Sequence, residues 1–230
     1  MAFKVVDFAI QLAVILFAIS FHESAHAWAA LKFGDPTARD LGRISLNPLR
    51  HLDPVNSVLL PALMYILSGG RFIFAAAKPT PVDLRNTRNP RLANLVVSAA
   101  GPLSNLLLAS IAIGALLVIK ATAPQSIVDL ALAVQGDQFA SGALAPLNYV
   151  LLRFALVNVM LAVFNLIPIP PLDGSGVVMS VFGGSVARAY AVIAPFGFLI
   201  LILLLASGFL SRVLAPAQIA VLRIVFGGVE

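Results

Sequence analysis

Phe21-His-Glu-Ser-Ala-His-Ala27 is the stretch that decides the fold, because it lies inside the apolar run 5–31. About 20 apolar residues cross the hydrocarbon core of a bilayer, so this run is long enough to span it. His22, Glu23 and His26 then sit at membrane depth. An ionisable group there costs about 2.5–3.5 kcal/mol or more, so such groups line a cavity, pair with one another, or bind something. Positions i and i+4 differ by about 40° around a helix axis, which sends His22 and His26 out from one face with Glu23 beside them. Asp7 and Gln11 fall on roughly the same face and extend the polar stripe, which must point into a bundle and not at lipid. His-Glu-x-x-His on a helix is the pattern of two imidazole zinc ligands plus a glutamate that takes a proton from water.

The composition agrees with a membrane setting. Of 230 residues, 60% are hydrophobic and 11% charged, which is outside the range of soluble domains. The net charge of +5 comes mostly from Lys and Arg in two loops, 32–56 and 69–91. They form no long basic run, so membrane topology explains them and nucleic acid is not an expected partner. The absence of cysteine excludes disulfides, thiolate zinc sites and a cysteine nucleophile. Any metal must therefore be held by nitrogen and oxygen. The first apolar run is too long for a cleaved signal peptide and is expected to be retained.

Working outward, the breakers Gly34-Asp35-Pro36 end the first helix. Gly42-Arg-Ile-Ser-Leu-Asn-Pro48 alternates apolar and polar residues and predicts a short edge strand at the membrane surface. Residues 57–68 are apolar but too short to span, and Gly69-Gly70 opens an extended-looking stretch, 71–81; a re-entrant element is expected over 57–77. Further spans are predicted over 92–119, 147–167 and 188–206, with a weaker one over 213–227 that contains Pro216 and Arg223. The expected architecture is an all-α polytopic membrane protein, one domain over 1–230. It is a bundle of about five to six transmembrane helices with a re-entrant segment and short membrane-associated β strands.

Parity constrains which groups can meet. If both basic loops are cytosolic, 57–77 dips in and returns, the first helix runs inward, 92–119 runs out and 147–167 runs back. Asp173 then arrives on the same side, and at a similar depth, as His22 and His26. Catalytic zinc sites take three protein ligands and leave a position for water, so a third ligand is needed. His51 and Asp173 are the leading candidates. His51 reads as an interfacial residue, whereas Asp173 follows Pro168, Pro170 and Pro171, which unwind the helix end, and precedes Gly174. A carboxylate on irregular backbone at membrane depth is tolerated where it lines a cavity.

His22-Glu-Ser-Ala-His26, Ala100-Gly-Pro-Leu-Ser-Asn105 and Phe164-Asn-Leu-Ile-Pro-Ile-Pro-Pro-Leu-Asp-Gly174 occur in that order, and together they resemble the site-2 protease family of intramembrane zinc proteases. The resemblance runs from about residue 14 to 176 and leaves the helices of 188–227 as accessories. Gly42–Pro48 and Lys78-Pro-Thr-Pro-Val82 are similar to a compact prokaryotic subgroup, although Ala76-Ala77 stand where that subgroup commonly has Gly-Trp. The resemblance implies one zinc ion per chain held by His22, His26 and Asp173, with Glu23 as catalytic base and acid. Asn105 and Asn165 are supporting candidates that could orient a ligand, polarise the scissile carbonyl or bond a neighbouring helix; helix packing with Gly101 is the favoured role for Asn105, while the functional and packing roles weigh equally for Asn165.

The implied substrate is a single-span membrane protein in the bilayer of a prokaryotic cell membrane, cut on the cytosolic side. Its helix must unwind and find new backbone partners, for which 42–48 and 71–77 are candidate edges. A divalent-metal transporter would also carry His and Asp in spans. It would place ligands at several depths, however, and would need no base beside them.

Overall fold

The structure, a computed structural model, describes residues 2–67, 77–136 and 138–227. Helix dominates, and five helices are long and apolar enough to cross a membrane: Phe3–Lys32, Pro90–Thr122, Ala145–Asn165, Gly184–Ala206 and Phe209–Phe226. Among the described residues the chain is all-α, and its apolar helices make it a multi-pass membrane protein. In order, its helices are α1 (Ala2–Lys32), α2 (Thr37–Asp40), α3 (Leu60–Leu67, entered through a π turn, Pro54–Leu59), α4 (Pro90–Thr122) and α5 (Pro124–Gln135). They continue with α6 (Ala145–Asn165), α7 (Asp173–Phe182), α8 (Gly184–Ile193), α9 (Gly197–Ala206) and α10 (Phe209–Phe226). The fourth span is α8 and α9 joined through Ala194–Phe196.

The long helix α4 is the hub, packing on α1, α5, α6, α7 and α10. Its start is sharply defined: Asn89 Oδ1 accepts from Leu92 N, and Pro90 occupies a first-turn position where a missing N–H costs nothing. Away from the His-Glu-x-x-His end, α4, α5, α6 and α10 enclose an apolar cluster that includes Leu116, Ile127, Leu130, Leu152 and Val225. A second cluster, with Val14, Ile15, Ala18, Ile19, Tyr65 and Val157, joins α1, α3 and α6.

The chain leaves α1 and enters α4 at the same end of the bundle. Asp35 is wholly buried there. Its Oδ1 accepts from Thr37 N (3.1 Å), Thr37 Oγ1 (2.5 Å) and Asn86 Nδ2 (3.1 Å), and its Oδ2 accepts from Asp83 N (2.7 Å). Arg88 N also donates to Phe33 O. The breaker that ends α1 is therefore also the clasp that holds the entrance to α4.

Several expectations are corrected. The edge strand over 42–48 is absent; the segment is a run of bends leading into a turn at Pro48–Arg50. The backbone polar groups of its centre, at Ser45, and of Asn47 are taken by side chains. Ser45 O accepts from Ser24 Oγ (2.6 Å) and sits 2.7 Å from His51 Nε2, Ser45 N bonds Ser24 Oγ, and Asn47 N bonds Ser45 Oγ. The expected edge at 71–77 lies, except for Ala77, outside the described residues, as does the second half of the expected re-entrant element. Besides the single turn α2, two helices are additional to the sequence reading. One is α5, whose buried Ile127, Leu130 and Ala133 recur at helical spacing. The other is α7, which begins at Asp173 where irregular backbone is expected.

Candidate metal centre

His22 and His26 lie on the buried face of α1, and their Nε2 atoms are 2.9 Å apart. Asp173, the first residue of α7, places Oδ2 3.1 Å from His22 Nε2 and 3.4 Å from His26 Nε2. The parity expectation that Asp173 meets the two histidines agrees with this geometry.

The outer nitrogens of the rings determine what the inner ones can do. His26 Nδ1 is 2.7 Å from Val97 O, a carbonyl that can only accept, so Nδ1 carries the proton. His22 Nδ1 is 2.6 Å from Asn105 Oδ1. The orientation of that amide follows from its other contacts, since Asn105 Nδ2 donates to Ala18 O (3.3 Å) and Asn158 Oδ1 (2.9 Å). His22 Nδ1 is thus also the donor. Neutral imidazoles so fixed turn both Nε2 lone pairs toward each other and toward a carboxylate oxygen. Asp173 Oδ2 is buried, and among the described residues no donor is aimed at it.

Three electron pairs converge on one point, an arrangement that repels itself unless a cation sits among them. The donor set suits zinc. Four-coordinate zinc with bonds of about 2.0–2.1 Å has ligand–ligand edges of about 3.3 Å, close to the separations found here. Donation from each ligating histidine's other N–H to a carbonyl or amide oxygen is the usual outer-shell arrangement, and it raises ligand basicity.

α4 supplies the floor. A Cβ on Gly101 would lie 2.5 Å from His22 Cε1 and 2.5 Å from His26 Nε2, so only glycine lets the two rings rest on this helix. Gly174 is equally constrained, because a Cβ there would lie 2.3 Å from Leu166 O. Its value is close approach.

Glu23 is tied differently. One carboxylate oxygen and the two imidazoles offer ligand atoms within 4.8 Å of one another. Glu23 Oε2 accepts from Thr80 N (2.7 Å), and Thr80 Oγ1 donates to Glu23 O (3.1 Å). The prolines on both sides of Thr80 have no N–H, so Pro79-Thr-Pro81 has a single backbone donor, Thr80 N, and it goes to Glu23. Sequence reasoning quoted this motif without giving Thr80 a role; the Pro-x-Pro donor pattern was the available signal.

The other candidates separate. His51 is not part of the cluster; it is 1% exposed, packed on Ser24 and Ser45. Asn105 orients His22, a role the sequence ranks behind packing. Asn165 Nδ2 donates to Leu161 O of its own helix (2.9 Å), and among the described residues it makes no bond to His22, His26 or Asp173. Asn158, buried behind Asn105, has no sequence signal beyond being an Asn in a span.

The relatives agree with this chemistry. The model of peptidase family M50 matches residues 10–204. "Putative zinc metalloprotease YwhC" of Bacillus subtilis (strain 168) is 37% identical over 205 residues, covering 88% of this chain and 84% of the relative. Rip2 of Mycolicibacterium smegmatis (strain ATCC 700084 / mc(2)155), which carries the same designation, is 33% identical over 205 residues, or 89% of this chain and 70% of its own length. No solved structure matches the chain. With its family model covering most of the chain and its three motifs meeting in space, the chain belongs to peptidase family M50, the site-2 protease family.

Proposed function

We infer that the chain is a zinc-dependent intramembrane endopeptidase with His22, His26 and Asp173 as zinc ligands and Glu23 as general base and acid. The observation that carries this reading is the convergence of two fixed imidazole lone pairs and an unpartnered carboxylate oxygen beneath Gly101. Bound there, zinc supplies Lewis acidity and makes water acidic enough to ionise near neutral pH. The protein's own groups do the rest. Thr80 holds Glu23 Oε2, which leaves Oε1 to take a proton from water and then deliver it to the leaving amine. Asn105 and the Val97 carbonyl keep both rings in the ligating tautomer throughout.

The substrate is a single-span membrane protein that enters from the bilayer and unwinds before cleavage. The setting is a prokaryotic cell membrane with the site toward the cytosol. Support comes from the clustering of Lys32, Arg39, Arg43, Arg50, Lys78 and Arg88 in the segments around the end of α1 and the start of α4. The re-entrant reading of 57–77, of which 57–67 and Ala77 are described, is kept on two contacts. Lys78 N donates to His51 O (2.9 Å) at one level of the bundle, while Tyr65 Oη donates to Lys4 O (2.8 Å) near the far end of α1.

The test is cleavage of a transmembrane reporter by purified protein, paired with measured zinc content, in wild type and Glu23→Gln. Wild type is expected to cut. The variant is expected to keep about one zinc per chain and lose at least about 10²–10⁴-fold in rate, the usual contribution of a general base. A Glu23→Gln protein that cuts at the wild-type rate overturns the assignment. Metal flux through liposomes without any cleavage would favour a transporter instead.

A further inference from the structure

The face of α4 that carries Gly101 and Asn105 continues toward its N-terminus through Ser98, Asn94 and Arg91, at steps of three and four residues. There it meets α7, the helix that begins with Asp173. Arg91 Nε donates to Ser180 O (2.5 Å) and Arg91 Nη2 to Val181 O (2.7 Å), so its guanidinium caps the last carbonyls of α7. One turn further along, Asn94 Nδ2 donates to Gly176 O (3.0 Å) and Ser180 Oγ (2.8 Å). Between these bonds the two helices touch, because a Cβ on Gly176 would lie 2.1 Å from Ser98 Oγ.

A single helical face therefore does two jobs. Residues 101 and 105 fix the histidines brought by α1, and residues 91, 94 and 98 fix the helix that brings the carboxylate. α7 has only ten residues and acts as a short rigid lever, so its register on α4 determines where Asp173 stands relative to His22 and His26. Neither Arg91 nor Asn94 is among the ligands, and neither is used by the chemistry described above. Both pins bond backbone carbonyls of α7 directly, so a slip of α7 along α4 breaks them.

We propose that Arg91 and Asn94 are positioning residues of the metal centre, which hold α7 in the register that presents Asp173 to the two histidines. The proposal rests on the zinc reading above. A helix cap with a purely structural role would lower thermal stability and leave metal retention alone. Lys120 provides that comparison, since its Nζ caps Val225 O (2.9 Å) and Gly227 O (2.5 Å) at the end of α10.

The experiment uses the full chain in detergent, loaded with zinc. It measures the rate of zinc release into excess chelator beside the melting temperature, for wild type, Arg91→Ala, Asn94→Ala, Arg91→Lys and Lys120→Ala. Zinc release is expected to accelerate about 10–100-fold in Arg91→Ala and Asn94→Ala, the usual cost of losing an outer-shell support. Arg91→Lys, which keeps the charge and loses the fork, falls between them and wild type. Lys120→Ala lowers the melting temperature and releases zinc at the wild-type rate. Should Arg91→Ala fail to fold, Asn94→Ala and Arg91→Lys carry the test. Wild-type release rates in those variants overturn this proposal alone, whereas a wild-type protein that holds no zinc overturns the metal reading beneath it.

Discussion

Asp7 is a buried carboxylate on α1 and Asp173 a partly exposed one whose Oδ2 is buried against α1, and the structure treats them in opposite ways. Asp7 Oδ1 accepts from the Tyr149 hydroxyl (2.5 Å) and pairs with Arg153 Nη2 (3.0 Å), while its Oδ2 accepts from Gln11 Nε2 (2.7 Å). Every lone pair in use there has a donor. Asp173 Oδ2 faces two imidazole nitrogens that are themselves acceptors. Both clusters lie along α1, separated by about 22 Å at 1.5 Å per residue between Asp7 and His22. Polarity inside a membrane bundle is thus of two kinds. A closed cluster ties helices together, whereas an open one, held open by outer bonds to Asn105 and Val97, is a place for a cation.

The largest expected effects come from neutralising each carboxylate in turn. Asp173→Asn removes a charged ligand and puts an amide donor beside two imidazole acceptors. Zinc stoichiometry should fall well below one per chain and cleavage should vanish, while the melting temperature of the metal-free protein holds or rises. Asp7→Asn should do the reverse. It leaves Arg153 without its counter-charge, and breaking a buried pair costs about 3–5 kcal/mol, reduced here by the partial exposure of Arg153. Zinc content per folded molecule should stay at wild type. Calorimetry and metal analysis on both variants would break the comparison if the two profiles coincided.

A smaller effect separates the two asparagines. Asn105→Ala removes the acceptor that fixes the His22 tautomer, and zinc affinity should drop about 10–100-fold. Asn165→Ala removes only a bond to its own helix, and affinity should stay within about twofold, measured by competition with a chromogenic chelator. Equal losses would mean that the orienting role of Asn105 is misassigned.

How much of this the sequence could show follows from the range of each signal. Helical periodicity and span length are local, so α1, α4, α6 and the C-terminal spans were legible, as was the face shared by His22 and His26. Asp173 was legible through parity, a topological argument that needs no distances. What was hidden depends on contacts between distant segments. Thr80 reaches Glu23 across 57 residues and Asn105 reaches His22 across 83, and neither separation leaves a mark on composition or period. The strand expected over 42–48 failed for the same reason. The alternation is real, but Ser24 and His51 engage the backbone of Ser45 at its centre.

Asp35 sharpens the comparison from outside the membrane. It is a second buried carboxylate and a closed one, accepting four hydrogen bonds at the junction of α1 and α4. Burial by itself would raise its pKa, but the bonds from Thr37, Asn86 and the Asp83 N–H outweigh it and hold the carboxyl below its ordinary value. A carboxyl with a depressed folded pKa contributes stability that is fully present above the unfolded value of about 3.9 and is lost as pH falls through the folded one. The wild-type protein should therefore lose stability progressively below about pH 4 from this source. Asp35→Asn, which cannot carry the charge, should be less stable at neutral pH by about 2 kcal/mol, in line with losing hydrogen bonds to a charged group. The gap between the two proteins should narrow as pH falls, and melting curves between pH 7 and pH 3 measure it. A gap that stays constant with pH would mean that Asp35 acts through packing alone, and that the clasp is closed by shape and not by charge.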